Sequence, residues 1–322
     1  MRQFAKPTIV VSKCLEFDAC RYNGEMIPDV TIRNLQPFVT FIPVCPEVEI
    51  GLGTPRETIR IVEENGENRL VQPSTREDVT EKMEQFSNDF LQTISDVDGF
   101  ILKNRSPSCG TRDVKIYSGF EKAPAKGKGA GLFGGAVVKK FSYLPIEEEG
   151  RLSNFIIREH FFTRLFTIAY YKMIKHNKNM KELVSFQSDN KYLFMAYNQV
   201  KQKELGRIIA NQKNEKIEVV FENYEKTLYE LFMRAPRYTS NVNVCEHIFG
   251  YFKTKLKKQE KDHFIELLQK YAEKKIPLSS LLTILKSWAI RFDEKYLLRQ
   301  TYFEPYPEAL VEISDSGKGR DY

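Results

Sequence analysis

Tryptophan occurs once and histidine four times in the 322 residues, and no apolar run approaches the ~20 residues of a membrane span. The histidines, His160, His176, His247 and His263, stand singly, with no HxxH or HExxH pair, so core or surface roles are expected for them rather than metal ligation. Five cysteines are odd in number and too sparse for a disulfide framework. No CxxC occurs, which argues against a zinc knuckle, and no repeat of fixed period is present. The opening MRQFAKPTIVVSKC lacks the apolar stretch and small-residue cleavage site of a signal peptide, so the expected location is the cytoplasm, with no membrane partner.

What is present is a folded-protein composition, 42% hydrophobic and 29% charged, with an uneven charge distribution. Residues 1–150 carry 19 basic and 22 acidic side chains; residues 151–322 carry 30 and 21. The halves therefore stand at −3 and +9, which directs attention to a polyanionic partner for the second.

The first half alternates strand and helix. Thr8–Ser12 (TIVVS), Phe38–Val44 (FVTFIPV) and Gly99–Leu102 (GFIL) read as strands. A helix is expected between the last two, opened by a capping box at Ser74 and Glu77 and carrying Met83, Phe86, Phe90, Ile94 and Val97. From about Leu144 the pattern turns to Lys-rich and aromatic-rich helices over Phe155–Ile174, Glu182–Val200, Ile217–Met233, Asn243–Leu256, Asp262–Tyr271 and Leu278–Trp288. The expected fold class is α/β, a Rossmann-like, mainly parallel sheet domain over 1–145, followed by an all-α helical domain over 146–322. The tail from Ser314 to Tyr322 is expected to fray.

Three cysteines share one address: Cys14 follows the first strand, Cys45 ends the second, and Cys109 lies in the turn RSPSCG after the third. Ligands gather outside the carboxyl ends of parallel strands, so residues far apart in sequence can converge there on a soft metal. Zinc, an iron-sulfur cluster and inert buried thiols all remain open on spacing alone. Cys20, in CRYNG, is either a fourth ligand or a loop residue, and Cys245 reads as a small buried helix residue. The glycines of KGKGAGLFGG do not match a GxxxxGK or strand-GxGxxG signature, so a flexible loop near the site is expected there rather than a nucleotide cradle.

The segments VSKCLEFDACRYNG, PVCPEVEIGLGTPRE, ILKNRSPSCG and LPIEEEGRL together resemble the thiouracil desulfidase family. RLSNFIIREHFFTRLF, KYLFMAYNQ, ELGRIIA, HIFGYFK and QTYFEPYPEAL resemble the YbgA-type helical domain, and the pair covers nearly the whole chain. The fusion is similar to tRNA 4-thiouridine desulfidases. The resemblance implies a 4Fe-4S cluster with Cys14, Cys45 and Cys109 as its three ligands and one iron lacking a protein ligand. It implies hydrolytic, non-redox conversion of 4-thiouridine to uridine in tRNA, the open iron polarising the carbon-sulfur bond while water attacks the ring carbon. Glu47, Ser106 and Ser108 match acidic and hydroxyl positions near the cluster and carry the catalytic assignment. Cys20, Arg21 and Lys103 are placed around them, the last two to stabilise negative charge or grip a phosphate. Fused relatives often have Val at the position of Cys20, which places that thiol outside the ligand set. They also have Phe-His where this chain has Phe186-Gln187.

The basic half offers Arg234, Arg237, Lys253, Lys255, Lys257 and Lys258, interleaved with Tyr238, Tyr251 and Phe252, as RNA contacts. Each lysine alone reads as a solvated helix face. Competing readings are a desulfidase of free thiouracil or a thionucleoside, a non-catalytic iron-sulfur RNA-binding redox sensor, and a zinc-stabilised module. Glu47 as a salt-bridged carboxylate and SPSCG as a plain turn are the corresponding bland readings.

Overall fold

The computed structural model of the chain describes residues 2–94, 96–120, 124–211 and 214–312. These fall into two compact units, divided between Ala169 and Tyr170, with residues 309–312 belonging to the first. No helix among the described residues is long and apolar enough to cross a membrane.

The first unit runs β1 (Thr8–Ser12), α1 (Val30–Leu35), β2 (Thr40–Val44), α2 (Pro46–Glu49), β3 (Arg60–Glu64), β4 (Glu67–Gln72), β5 (Glu77–Asp78) and α3 (Thr80–Thr93). It continues through β6 (Gly99–Leu102), β7 (Val114–Tyr117), β8 (Ala125–Gly129), α4 (Leu132–Phe141) and β9 (Ile146–Glu148). One sheet has the order β2-β1-β6-β9 with every pair parallel. Ile9, Val10, Val11, Phe100, Ile101 and Leu102 have no solvent exposure. Burial on both faces explains why TIVV and FIL are continuously apolar instead of alternating. The chain passes from β1 to β2 on one side and returns to β6 on the other, so the topological switch point lies at β1.

A second, five-stranded sheet of order β5-β4-β3-β7-β8 was not expected from the sequence. Its β3–β4 hairpin turns through Asn65 and Gly66, both at positive φ, the requirement of a two-residue hairpin loop. Residues at Glu77–Asp78 belong to this sheet, so α3 starts at Thr80 and the expected capping box at Ser74 and Glu77 does not form. The boundary expected between 145 and 146 is also corrected. Ile146–Glu148 is the fourth strand of the parallel sheet, paired with β6, and cannot belong to a helical domain.

The glycine-rich stretch is not a flexible loop. Its first part is β8 and its second part is the opening turn of α4, whose N–H groups are taken by the Cys109 loop. Gly131 N donates to Gly110 O at 2.7 Å, Leu132 N to Pro107 O at 3.1 Å and Gly134 N to Ser108 O at 2.9 Å. A Cβ on Gly134 would stand 2.3 Å from Cys109 O, and one on Gly131 2.5 Å from Ser108 O. Glycine is required because the helix start lies directly on the loop backbone.

The second unit takes up the later part of α5 (Phe155–Asn177), then α6 (Met180–Asp189), α7 (Lys191–Tyr197), α8 (Gln199–Ala210), α9 (Ile217–Leu231), α10 (Tyr238–Phe249), α11 (Lys258–Ala272), α12 (Leu278–Arg291) and α13 (Lys295–Leu298). The single helix expected over 182–200 is interrupted. Asn198 is extended, and its side chain accepts from Val200 N and Lys201 N, which caps α8 and ends α7. The core is aromatic, with Tyr171 stacked on Tyr224 and Phe186 edge-on to Phe194.

Gly134→Ala is expected to displace the Cys109 loop and destabilise the protein by about 1–3 kcal/mol, the usual range for overpacking. A thermal melt of the variant checks this; an unchanged midpoint would contradict the contact.

Candidate active site

Adjacent strands in parallel register bring their carboxyl ends to one place, with Ser12 opposite Val44 and Val11 opposite Ile101. Cys14, Cys45 and Cys109 follow these three strands and line a single cavity of about 440 Å³, with Cys20 in the same wall. All are free thiols, and Cys20, Cys45 and Cys109 are buried. Among the described residues no three His, Cys, Asp or Glu side chains are grouped to hold one metal ion. Thiols that line one cavity offer the soft donors an iron-sulfur cluster requires.

Burial pushes the Cys14 thiol up to about 12, with the charge of Cys45 adding to the effect and the Lys103 ammonium opposing it. Burial likewise raises Cys20 to about 12, reinforced by Cys45. Cys109 is raised by burial against an opposing hydrogen bond with Ser12. Burial therefore favours the neutral thiol at Cys14, Cys20 and Cys109, and a bound cation would favour the thiolate.

Glu47, in the short helix α2 immediately after Cys45, faces the loop that carries Cys109. Its Oε1 accepts from Ser108 Oγ at 2.6 Å and Ser106 Oγ at 3.5 Å, and the two hydroxyls are 2.9 Å apart. Ser106 Oγ also accepts from Cys109 N at 3.1 Å, and Ser108 Oγ lies 3.8 Å from Cys109 Sγ. The three residues expected to be catalytic are thus one hydrogen-bonded group beside the Cys109 thiol. Reading the sequence missed Arg56, whose Nε donates to Glu47 Oε2 at 2.9 Å and whose Nη2 donates to the same oxygen. Its position in GLGTPRE was the available signal, and no role was attached to it.

Arg21 lines the cavity, pairs with Glu25 at 3.4 Å and lies over the Tyr22 ring. Lys103 lines it too, but its ammonium bonds to Glu149 Oε1 at 2.5 Å and to the side-chain oxygen of Asn104. A salt-bridged ammonium is a poor phosphate grip, so Lys103 acts on the loop and on Cys14. The carboxylates of LPIEEEGRL brace the same loop at both ends: Glu149 accepts from Asn104 N at 2.7 Å and Glu148 from Thr111 N at 2.7 Å.

In the second unit Arg234, Arg237, Lys253, Lys255, Lys257 and Lys258 are all exposed. They form two groups flanking opposite ends of α10, a helix ~18 Å long at the usual rise per residue. Lys255 is paired with Glu294. Tyr238 and Tyr251 are partly exposed, whereas Phe252 is fully buried against Trp288 and Phe292 and cannot stack on a base. Gln187 is a buried core residue that accepts from Tyr224 OH at 2.6 Å. Cys245 is buried, with Tyr302 OH 3.9 Å from its sulfur.

Comparison with known proteins adds a family. The 2-thiouracil desulfurase family matches residues 9–149, and a family of unknown function, DUF1722, matches residues 191–307. The uncharacterized protein YbbK of Bacillus subtilis (strain 168) is 34% identical over 148 residues, 44% of this chain and 95% of that protein. The uncharacterized protein YbgA of Escherichia coli (strain K12) is 22% identical over 156 residues, 48% of this chain and 92% of that protein. Among solved structures, the 4Fe-4S-dependent thiouracil desulfidase TudS is 26% identical with a TM-score of 0.36, covering 46% of this chain and 93% of that one.

Because Cys14 and Cys20 are raised to about 12, their alkylation by iodoacetamide in metal-free protein should be slow at pH 8 and still rising at pH 10. Rates that level off by pH 9 in peptide-mapped samples would contradict the burial effect.

Proposed function

Since the chain belongs, through residues 9–149, to the 2-thiouracil desulfurase family, we propose that it removes sulfur hydrolytically from thiolated uridine in tRNA, converting 4-thiouridine to uridine. The observation that carries this reading is the placement of Cys14, Cys45 and Cys109 around the cavity that also holds Glu47 and Ser108. When bound there, a 4Fe-4S cluster on those thiolates supplies an iron without a protein ligand, a soft acid suited to an exocyclic sulfur.

Everything else is work for the chain's own side chains. The reaction replaces sulfur by oxygen: the oxygen of water bonds to the ring carbon, the carbon-sulfur bond breaks, and sulfide departs with no net electron transfer. Glu47 Oε1 is the base that takes the proton from water. Ser108 and Ser106, already hydrogen-bonded to that oxygen, hold it toward the cavity and offer the proton a path along the loop.

Support for tRNA as the substrate comes from the +9 charge of residues 151–322 and the exposed basic groups flanking α10. The target base would have to leave its stack to reach the cavity. A second reading, free 2-thiouracil as the substrate, is favoured by the description of the matched family.

Anaerobically reconstituted protein incubated with 4-thiouridine tRNA and with 2-thiouracil separates the readings through loss of the thio-base absorbance and release of sulfide. Turnover on tRNA should dominate and fall steeply between about 50 and 200 mM salt. Faster turnover of the free base, or indifference to salt, would contradict tRNA as the substrate; RNA affinity that follows oxidation without sulfide release would replace the enzyme by a sensor. Cys45→Ala should lose both the brown colour and activity. Glu47→Gln should keep the colour and lose about 10²- to 10⁴-fold in kcat, the usual scale of general base catalysis. A coloured, active Cys45→Ala protein would sink the ligand assignment.

A further inference from the structure

An arginine in the wall of an active-site cavity ordinarily reads as a grip for an anionic substrate. The hydrogen bonds of Arg56 do not allow that reading. Its side chain is 4% exposed, and all three guanidinium nitrogens are engaged by the protein. Nε and Nη2 both donate to Glu47 Oε2; Nη1 donates to Cys20 O and to Gly53 O, each at 2.9 Å. The backbone N–H of Arg56 donates to Tyr22 O at 2.8 Å. The residue therefore ties three segments together: the loop of Cys20–Tyr22, the turn after α2, and the carboxylate of Glu47.

The two oxygens of Glu47 are treated differently. Among the described residues Oε2 receives only the guanidinium, while Oε1 receives the hydroxyls of Ser108 and Ser106. A carboxylate with both oxygens free can rotate about its terminal bond and present either one. With a two-pronged donor on Oε2 that rotation is stopped, and Oε1 is left toward the serines.

We propose, resting on the desulfurase reading above, that Arg56 is a positioning residue that fixes which oxygen of Glu47 handles the proton. It acts through Glu47 and touches no substrate. The requirement is for a planar fork and not merely for positive charge, because a lysine ammonium is a point donor. It cannot hold Oε2 through two N–H groups while also bridging the carbonyls of Cys20 and Gly53.

The test uses the full-length, anaerobically reconstituted protein, with whichever of 2-thiouracil or 4-thiouridine tRNA the wild type turns over faster. Arg56→Lys should retain the wild-type iron content and visible spectrum, lose at least tenfold in kcat and change KM less than threefold. In a Glu47→Gln background the same substitution should cost nothing further, since both act through one group. Guanidinium ion at millimolar, non-denaturing concentration should restore part of the kcat of Arg56→Ala. Wild-type kcat in Arg56→Lys, a loss confined to KM, or full additivity with Glu47→Gln would overturn the proposal. Loss of iron in both Arg56 variants would also overturn it, by assigning the residue to folding. Wild-type protein with full iron and no sulfide release from either substrate would instead defeat the desulfurase reading.

Discussion

The parallel pairing of β1 with both β2 and β6 is the constraint on which the site depends. Parallel neighbours end on the same side, so Ser12, Val44 and Leu102 deliver the chain to one edge of the sheet. Three cysteines separated widely in sequence then need no local motif to meet. The cost of an all-parallel sheet is that both faces must be covered, which accounts for the zero exposure of its central residues. Altering that pairing would scatter the thiols even with every cysteine retained.

Pinning the loop of Cys109 is the second requirement, because a strand end fixes only where a loop begins. Glu149 holds its start, Glu148 holds its end, and the glycines of α4 lie against its carbonyls. These contacts place Ser106 and Ser108 on Glu47 as well as Cys109 in the cavity. The Cys109 thiol and the hydrogen bonds of Ser106 and Ser108 to Glu47 thus rest on one short segment held by its neighbours.

How much of this was legible in the sequence varies with what decides each element. β1 and β6 were readable to the residue, since TIVVS and GFIL are apolar runs whose burial is written in their composition. That Cys14, Cys45 and Cys109 line one cavity follows from the same strands. The second sheet was not read: RIVEE and ENRLVQ are heavily charged, and AKGKG has little strand preference of its own, so pairing with neighbours decides them. Asn65-Gly66 was a usable hairpin signal that went unread. Arg56 was invisible for a different reason, because its placement depends on hydrogen bonds to Glu47, Cys20, Gly53 and Tyr22 that only the folded chain assembles. Phe252 looked like a surface aromatic among lysines, yet tertiary packing buries it.

The proposed desulfuration chemistry, not the charge contrast between the halves, is the central claim. Its most direct test is Mössbauer spectroscopy of iron-57-reconstituted protein, recorded before and after adding whichever of 2-thiouracil or 4-thiouridine tRNA it turns over faster. The account predicts a 4Fe-4S spectrum with one iron distinct from the rest, and a change at that iron alone when the thio-base is present. Equivalent irons that do not respond, or a protein that binds no cluster, would contradict it.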